Sequence, residues 1–283
     1  MKQLKIIEYK NRIGVFGACC FSPEQTFECG QCFRFERNNA GEYEGIASSH
    51  FARILLEGEA VVFRDSTVNE VRDFWIPYLD LERDYEKIVC SFPENSHIST
   101  AAHCCSGIHI LKQDPWETLC SFIISQNNNI PRIKKIVKSL CENFGEKLDC
   151  GGYSFPDIEK IAAAGVEGLS IIKSGFRAKY IIDAAEKVAG GKINLETLKL
   201  MTYEQAKAEL IKIKGVGEKV ASCVTLFGLG FLNAFPVDVW IKRVLQKYYG
   251  EDFDIGYFGE YAGIAQQYLF HYERGNKKFR HFS

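Results

Sequence analysis

The spacing of the apolar residues changes once along this chain, near residue 98, and no other feature limits the fold as strongly. Before that point, short apolar runs alternate with turn sequences, a pattern typical of antiparallel strands. After it, apolar residues recur at intervals of three and one and form a single face of a helix. We therefore predict an α+β protein, with a small antiparallel β domain over residues 1–97 and an all-α domain over residues 98–283.

Turn sequences and helix ends support both halves of this prediction. Residues 31–49 and 52–65 each contain two strand-like runs around a turn, so each predicts a β-hairpin. In the second half, Thr202 and Gln205 have the spacing of a capping box at the start of a helix. The predicted helices cover residues 114–126, 131–145, 155–165, 178–191 and 202–213.

The charge of the chain bears on its partners. A formal net charge of −1 argues against a protein that coats nucleic acid by charge alone. Two basic runs, residues 132–138 and 275–281, instead indicate a phosphate-facing surface on one side of the molecule. A single run of this kind is more often a solvated helix face, so the runs alone do not establish binding.

Cellular location and metal content follow from other parts of the sequence. No stretch approaches the roughly 20 apolar residues of a membrane span, and the N-terminus lacks a secretory signal. We expect an intracellular protein, in the cytoplasm or nucleoid if the source is prokaryotic. Its eleven scattered cysteines do not suggest disulfides in a reducing compartment. Cys29 and Cys32 form a CxxC motif without a second ligand pair, which favours two half-buried strand thiols over a zinc site.

Residues 214–221 read KGVGEKVA and join two predicted helices through a very short turn. Gly215 and Gly217 carry no Cβ, so the backbone there can approach another molecule closely. The N–H groups of the following helical turn, which includes Val220, have no intrahelical partner and suit a phosphate. This turn predicts contact with a nucleic-acid backbone, although it is equally typical of a structural helix connection.

A lysine and an aspartate accompany the turn. Lys219 begins the second helix beside apolar residues, and Asp238 follows 19 positions later, just after Pro236. A desolvated lysine is a usable nucleophile, and a nearby carboxylate can assist it. Taken singly, Lys219 is typical of a solvated surface residue and Asp238 of a helix N-cap. Their spacing relative to the turn predicts one catalytic site.

The sequence KGVGEKVA followed by PVDV resembles the helix-hairpin-helix DNA glycosylase superfamily. Within it, the chain resembles the 8-oxoguanine DNA glycosylase/lyase branch along nearly its whole length. The resemblance implies a TATA-binding-protein-like β domain followed by a helical glycosylase domain. It also implies a bifunctional repair enzyme that flips out 8-oxoguanine, preferably opposite cytosine, and removes it through a lysine Schiff base. The segments that carry the resemblance are residues 29–35, 114–133, 175–181, 215–223 and 261–270.

The resemblance implies roles for the catalytic pair and for the base pocket. Lys219 would attack C1′ of the extruded nucleotide, while Asp238 would stabilise positive charge developing on the sugar. The backbone carbonyl of Gly30 would accept the N7 hydrogen that 8-oxoguanine carries and guanine lacks. The remaining base contacts would come from Gln266 at the Watson–Crick edge and from Cys223 and Phe270 on the two ring faces.

The implied DNA contacts lie in two further segments. Asn127 would fill the space left by the extruded nucleotide, and Arg132 with Arg177 would hold the unpaired cytosine. Phe176 would act as an apolar wedge in the helix, where many relatives carry tyrosine. Trp240 stands where a phosphate-contacting histidine is typical, so that contact is not expected here.

The resemblance requires no cofactor and implies a monomer that binds double-stranded DNA containing oxidised guanine. It allows a monovalent cation at the carbonyls of Ile211, Ile213 and Val216. No cysteine follows Cys223, so the iron–sulfur cluster of other branches is not expected. Two alternatives stay open: a monofunctional alkyl-base glycosylase, which would lack the lysine nucleophile, and a non-catalytic helix-hairpin-helix DNA-binding protein.

Overall fold

One six-stranded antiparallel sheet dominates the N-terminal region of the computed structural model, which describes residues 4–18, 20–250 and 252–279. The two predicted hairpins are confirmed, because β3 pairs with β4 and β5 pairs with β6. A third hairpin, β1–β2, completes the sheet in the spatial order β1-β2-β6-β5-β4-β3. The strands are β1 (Lys5–Tyr9), β2 (Arg12–Phe16), β3 (Phe35–Arg37), β4 (Tyr43–Ala47), β5 (His50–Glu57) and β6 (Ala60–Arg64).

Helices follow the sheet and confirm the predicted α+β class. All five helices predicted from the apolar spacing form, and Thr202 makes the expected capping box with Gln205. The α-helices are α1 (Pro23–Glu28), α2 (Val68–Glu70), α3 (Ile76–Tyr78), α4 (Tyr85–Ser91), α5 (His97–Cys104), α6 (Pro115–Ser125), α7 (Ile130–Phe144), α8 (Ile158–Gly168), α9 (Ala178–Ala189), α10 (Leu195–Leu198), α11 (Tyr203–Ile211), α12 (Glu218–Phe227), α13 (Val239–Tyr248) and α14 (Ala262–Phe279).

Two hydrophobic cores lie under these elements. One fills the space beneath the sheet around Phe35, Phe63 and Trp75. The other lies among the helices and also takes in helix α4, although α4 precedes residue 97. Cys29 and Phe33, which flank the loop between α1 and β3, belong to this helical core as well. That loop therefore contacts the helical core through Cys29 and Phe33, while its Cys32 side chain packs in the core beneath the sheet.

Buried polar contacts fasten the same loop to the helical region. The Arg34 guanidinium pairs with the Glu117 carboxylate of α6 at 3.0 Å, and both side chains are largely buried. Burial raises the pKa of Glu117, and the positive charge of Arg34 opposes that shift. Lys134 of α7 donates to the carbonyl of Phe35 at 2.6 Å. These contacts fix the segment that contains Gly30 relative to α6 and α7.

The interpretation of Cys29 and Cys32 as half-buried strand thiols is wrong. Both are buried, at 0% and 5% exposure, and neither lies in a strand; Cys29 caps α1, and burial raises its pKa to about 11. Apart from Cys20, the cysteines among the described residues are nine free thiols, and Cys19 lies outside those residues. No group of metal-ligating side chains occurs in the described part of the chain. Nor does any described helix have the length and apolarity of a membrane span.

Candidate active site beside the helical hairpin

The turn between α11 and α12 needs glycine at its first position. Gly215 has φ +79°, and a Cβ there would lie 2.4 Å from the ring of Tyr180. Gly217 is the N-cap of α12 and leaves the first N–H groups of that helix without a side-chain cap. Those N–H groups lie at the positive end of the helix dipole. The turn therefore has the backbone geometry of an anion site, as the sequence predicts.

Helix α9 supports this turn from beneath. The Asp183 carboxylate accepts from the Lys214 N–H at 2.7 Å and from the Lys187 ammonium at 2.5 Å. Lys187 also donates to the Lys212 carbonyl at 3.0 Å. Burial alone would raise the pKa of Asp183, but these hydrogen bonds and charges outweigh it and lower the pKa.

We expect Asp183→Asn to lower stability at neutral pH by less than about 1 kcal/mol, because the charged contacts are only partly buried. A lowered folded-state pKa means that the carboxylate stabilises the fold above its usual pKa of 3.8. That contribution is lost as pH falls through the folded-state pKa. Urea unfolding at pH 7, 4.5 and 3 should therefore show a difference that shrinks in acid. The exposed Asp149, changed to Asn, is the control, and a constant difference at all three pH values would contradict the assignment.

The predicted cation site uses carbonyls within and just before the same turn. Ile213 offers a carbonyl that already accepts from the Val216 N–H at 3.0 Å, and Ile211 ends α11 at the surface. The Lys187 ammonium already places a positive charge on the neighbouring Lys212 carbonyl. A cation at the Ile211, Ile213 and Val216 carbonyls stays a prediction.

Lys219 is the second residue of α12 and is half-buried. Its Nζ lies 5.0 Å from the centroid of the Phe122 ring. Burial raises the pKa of the neighbouring Cys223 thiol, while hydrogen bonding and charge from Lys219 oppose that shift and the charge of Asp238 adds to it. Lys219 and Asp238 thus both lie close enough to the Cys223 thiol to affect its pKa. The amine lies against an aromatic face and a buried thiol rather than in bulk solvent.

Asp238 is the N-cap of α13. Its Oδ1 accepts from the N–H groups of Trp240 and Ile241 at 2.9 and 2.8 Å. No ion pair within 4 Å joins it to Lys219 among the described residues, yet both side chains line one cavity of about 840 Å³. Asp238 can be both a helix N-cap and a catalytic carboxylate, because both cap hydrogen bonds go to Oδ1 and hold the carboxylate in place.

Two residues predicted for the base pocket line the same cavity. Gly30 has φ +88°, and a Cβ there would lie 3.8 Å from the Phe270 ring. Cys223 and Gln266 are buried, at 3% and 4% exposure, and are not among the residues that line the cavity. Gln266 accepts from the Gln267 side chain at 2.7 Å, so its carbonyl already has a partner. The structure thus places Gly30 and Phe270 on the same cavity as Lys219 and Asp238, and all four base contacts stay predictions.

The residues predicted to contact DNA differ in their exposure. Asn127 is exposed, has φ +47° and lines the cavity, and Arg132 is exposed at the start of α7. Phe176 is 48% exposed. Arg177 is instead buried and donates to the carbonyls of Gln126 and Asn127, each at 2.9 Å. The Arg177 guanidinium thus orders the loop that carries Asn127, and the contact of Arg177 with cytosine stays a prediction.

Sequence reasoning missed two charged residues in the cavity wall, Lys242 of α13 and Arg274 of α14. Arg274 of α14 lines the cavity, and its guanidinium carbon lies 5.1 Å from the centroid of the Phe270 ring. Its position four residues after Phe270 puts the two on one helix face, and that spacing was the available signal. The basic run at residues 275–281 lies almost entirely outside the described side chains.

Two family models match the chain. They are the 8-oxoguanine DNA glycosylase, N-terminal domain, over residues 16–119, and the HhH-GPD superfamily base excision DNA repair protein, over residues 120–255. The N-glycosylase/DNA lyase of Saccharomyces cerevisiae is 42% identical over 158 residues, which is 50% of this chain and 42% of the yeast protein. That match spans less than half of the yeast relative.

Two solved structures match over nearly the full length. The structure of MBOgg1 in complex with a low affinity DNA ligand is 39% identical, covers 97% of this chain and 99% of its own, and has a TM-score of 0.92. The Clostridium acetobutylicum 8-oxoguanine glycosylase/lyase, in complex with double-stranded DNA containing cytosine opposite 8-oxoguanine, is 36% identical. It covers 98% of this chain and 100% of its own, with a TM-score of 0.91.

A sheet domain, a helical hairpin and a lysine–aspartate pair on one cavity define a DNA glycosylase of the helix-hairpin-helix class. The two solved structures that match nearly the full length at more than 30% identity then identify one family within this class. The chain belongs to the 8-oxoguanine DNA glycosylase/lyase family of the HhH-GPD superfamily, and it is a DNA repair enzyme of the N-glycosylase/DNA lyase type.

Proposed function

We propose that this enzyme extrudes 8-oxoguanine from double-stranded DNA, preferably opposite cytosine, removes it and cleaves the strand through a Schiff base on Lys219. The observation that carries the proposal is that Lys219 and Asp238 line one cavity with Gly30 and Phe270. A base inside a duplex is not accessible to such a cavity, so the nucleotide must leave the stack. We further propose that the enzyme acts as an intracellular monomer.

The chemistry begins at the sugar. The Lys219 nitrogen forms a bond to C1′ through its lone pair as the C1′–N9 bond breaks, and the electron pair of the C1′–N9 bond leaves with the base. Asp238, held by its cap hydrogen bonds, places a negative charge near the positive charge that develops on the sugar. The nitrogen passes its surplus proton to the departing base. The nitrogen lone pair then forms the iminium as the C1′–O4′ bond breaks, and O4′ takes a proton from solvent to become a hydroxyl. Water accepts a proton from C2′, and the electron pair released there expels the 3′ phosphate.

One hydrogen that guanine lacks contributes to recognition of the lesion. The Gly30 carbonyl would accept the N7–H of 8-oxoguanine, whereas guanine would place a lone pair against that oxygen. A missing hydrogen bond of this kind in a dry site costs about 1–3 kcal/mol. That is too little for full discrimination, so the extrusion step must contribute. Asn127 and Phe176 are both exposed, which supports their proposed roles of filling and wedging the base stack.

Borohydride trapping tests the lyase proposal and both alternatives. The wild-type protein, incubated with duplex containing 8-oxoguanine opposite cytosine and sodium borohydride, should form a covalent protein–DNA adduct. A monofunctional glycosylase would release the base without an adduct, and a non-catalytic binding protein would do neither. Absence of both products would exclude the proposed function.

We expect Arg132→Ala to reduce discrimination among the bases opposite the lesion, because Arg132 is exposed at the N-terminus of α7 beside the Asn127 loop. Loss of one good base contact is worth about 1–3 kcal/mol. Single-turnover excision opposite cytosine and opposite adenine should therefore differ less in the variant, by about tenfold or more. Lys135→Ala removes the same charge from an exposed position of α7 and should leave the ratio unchanged. Equal ratios in wild type and Arg132→Ala would remove Arg132 from this role.

A further inference from the structure

Arg274 lies between two residues of the proposed base pocket. Its guanidinium carbon is 5.1 Å from the centroid of the Phe270 ring. Its Nη1 is 3.7 Å from the position that a Cβ on Gly30 would take. The cation therefore lies at the junction of the ring that would cover the base and the backbone that would accept N7–H.

The Nη1 group of Arg274 is a donor without an acceptor. It is buried and has no hydrogen-bond partner in the described part of the chain. Glu28 and Glu36 line a neighbouring cavity together with Arg274, but neither forms an ion pair with it among the described residues. A buried N–H that lacks a partner costs free energy, and a ligand that accepts from it recovers that cost. The unpaired donor thus indicates an acceptor atom that arrives with the substrate.

The position of that acceptor follows from the geometry of α14. Gln266, Phe270 and Arg274 are spaced four residues apart and so follow one helix face, with about 6 Å between successive members along the axis. In the proposed function Phe270 covers the ring of the base, and Gln266 is assigned to its Watson–Crick edge. Arg274, on the other side of Phe270, then meets the opposite end of the purine. That end carries the C8 oxygen, next to the N7–H assigned to Gly30.

We propose that Arg274 is a specificity-determining residue that donates from Nη1 to the C8 oxygen of the extruded base, an inference that rests on the proposed function. Guanine has a hydrogen at C8, so it leaves the donor unpaired. The enzyme would thus read both atoms that distinguish the lesion, N7–H through Gly30 and the C8 oxygen through Arg274.

The same contact assists departure of the base. As the C1′–N9 bond breaks, its electron pair passes to N9 and is shared with the C8 oxygen. The guanidinium donates to that oxygen as the negative charge grows, and charge-assisted hydrogen bonds are stronger than neutral ones. The base then takes at N9 the proton that the Lys219 nitrogen releases. Arg274 should therefore accelerate base excision and have no part in cleavage of a site that already lacks the base.

Comparing two substrates tests this assignment. Arg274→Met should slow single-turnover excision of 8-oxoguanine by about ten- to a hundredfold. Strand cleavage at a preformed abasic site should stay within about twofold of wild type. Arg72→Met removes the same charge from an exposed surface pair and should affect neither reaction. Arg274→Lys keeps the charge with a different donor geometry and should fall between wild type and Arg274→Met.

Sulfur substitution at C8 identifies the atom that is read. Sulfur is a weaker acceptor than oxygen, so the wild type should excise 8-oxoguanine faster than 8-thioguanine. Because the Arg274 donor and the C8 atom are a coupled pair in this proposal, Arg274→Met should reduce the ratio of the two excision rates. An unchanged ratio would overturn the inference. Equal loss of excision and abasic-site cleavage in Arg274→Met or in Arg274→Lys, at an unchanged melting temperature, would also overturn it. Failure of the wild type itself at both substrates would instead reject the proposed function.

Discussion

Lys219→Gln is expected to abolish base excision, strand cleavage and borohydride trapping together. The variant loses the amine that would bond to C1′, and loss of a covalent nucleophile typically costs about 10⁴-fold or more. Glutamine has a similar length and suits a helix, and Lys219 makes no ion pair among the described residues. The fold and DNA binding should therefore persist. Single-turnover kinetics with duplex containing 8-oxoguanine, and trapping on abasic DNA, measure the loss.

Lys207→Gln is a closely matched control for this variant. The Lys207 ammonium lies 5.0 Å from the centroid of the Tyr203 ring, just as Lys219 lies 5.0 Å from that of Phe122. Lys207 does not line the cavity that holds Asp238. Its variant should keep excision and trapping near wild-type levels. If Lys219→Gln trapped as much DNA as Lys207→Gln, another amine would be the nucleophile.

Asp238→Asn is expected to slow excision by about 10²–10³-fold with little change in stability. The asparagine oxygen can still accept from the Trp240 and Ile241 N–H groups, so the α13 cap persists. The substitution should therefore lower the free energy of unfolding by less than about 1 kcal/mol. The negative charge near the sugar is lost, and removing one group that stabilises transition-state charge typically has this effect on rate. Excision kinetics and thermal unfolding of the same preparation separate the two contributions.

Asp254→Asn makes the same chemical change at another helix N-cap. Asp254 accepts from the Gly256 N–H at 2.8 Å and does not line the catalytic cavity. Its variant should match Asp238→Asn in stability and match wild type in rate. An Asp238→Asn enzyme that retains full excision would reduce Asp238 to a cap. A rate loss that merely follows a fall in melting temperature would support the same conclusion.

The sequence predicts the local elements well because their causes are local. The hairpin of β5 and β6 follows from alternation around Gly58, and α11 follows from its capping box at Thr202. Which hydrophobic core a segment packs in is harder to predict, since it depends on contacts between residues that are distant in the chain. Helix α4 packs with the helices, and Cys29 is fully buried in the same core. The loop before β3 is also joined to α6 by the Arg34–Glu117 ion pair, a contact between residues that are distant in the chain.

Prediction of the site divides in the same way. The turn at Gly215 and the cap at Asp238 depend on short segments, and both have the expected geometry. The partners of Arg177 and the placement of Arg274 depend on which loops meet in space. A motif identifies an arginine but not the carbonyls that it will bind, so the order imposed on the Asn127 loop was not predictable.

The Arg177 side chain also has a mechanical consequence. Its guanidinium bonds the carbonyls of Gln126 and Asn127 and stacks 4.4 Å from the centroid of the Phe176 ring. Asn127 and Phe176, the residues proposed to fill and to wedge the base stack, are thereby linked through one side chain. In the proposed function, the two residues would therefore enter DNA together at each step of scanning. A substitution that loosened one of them would also weaken the action of the other.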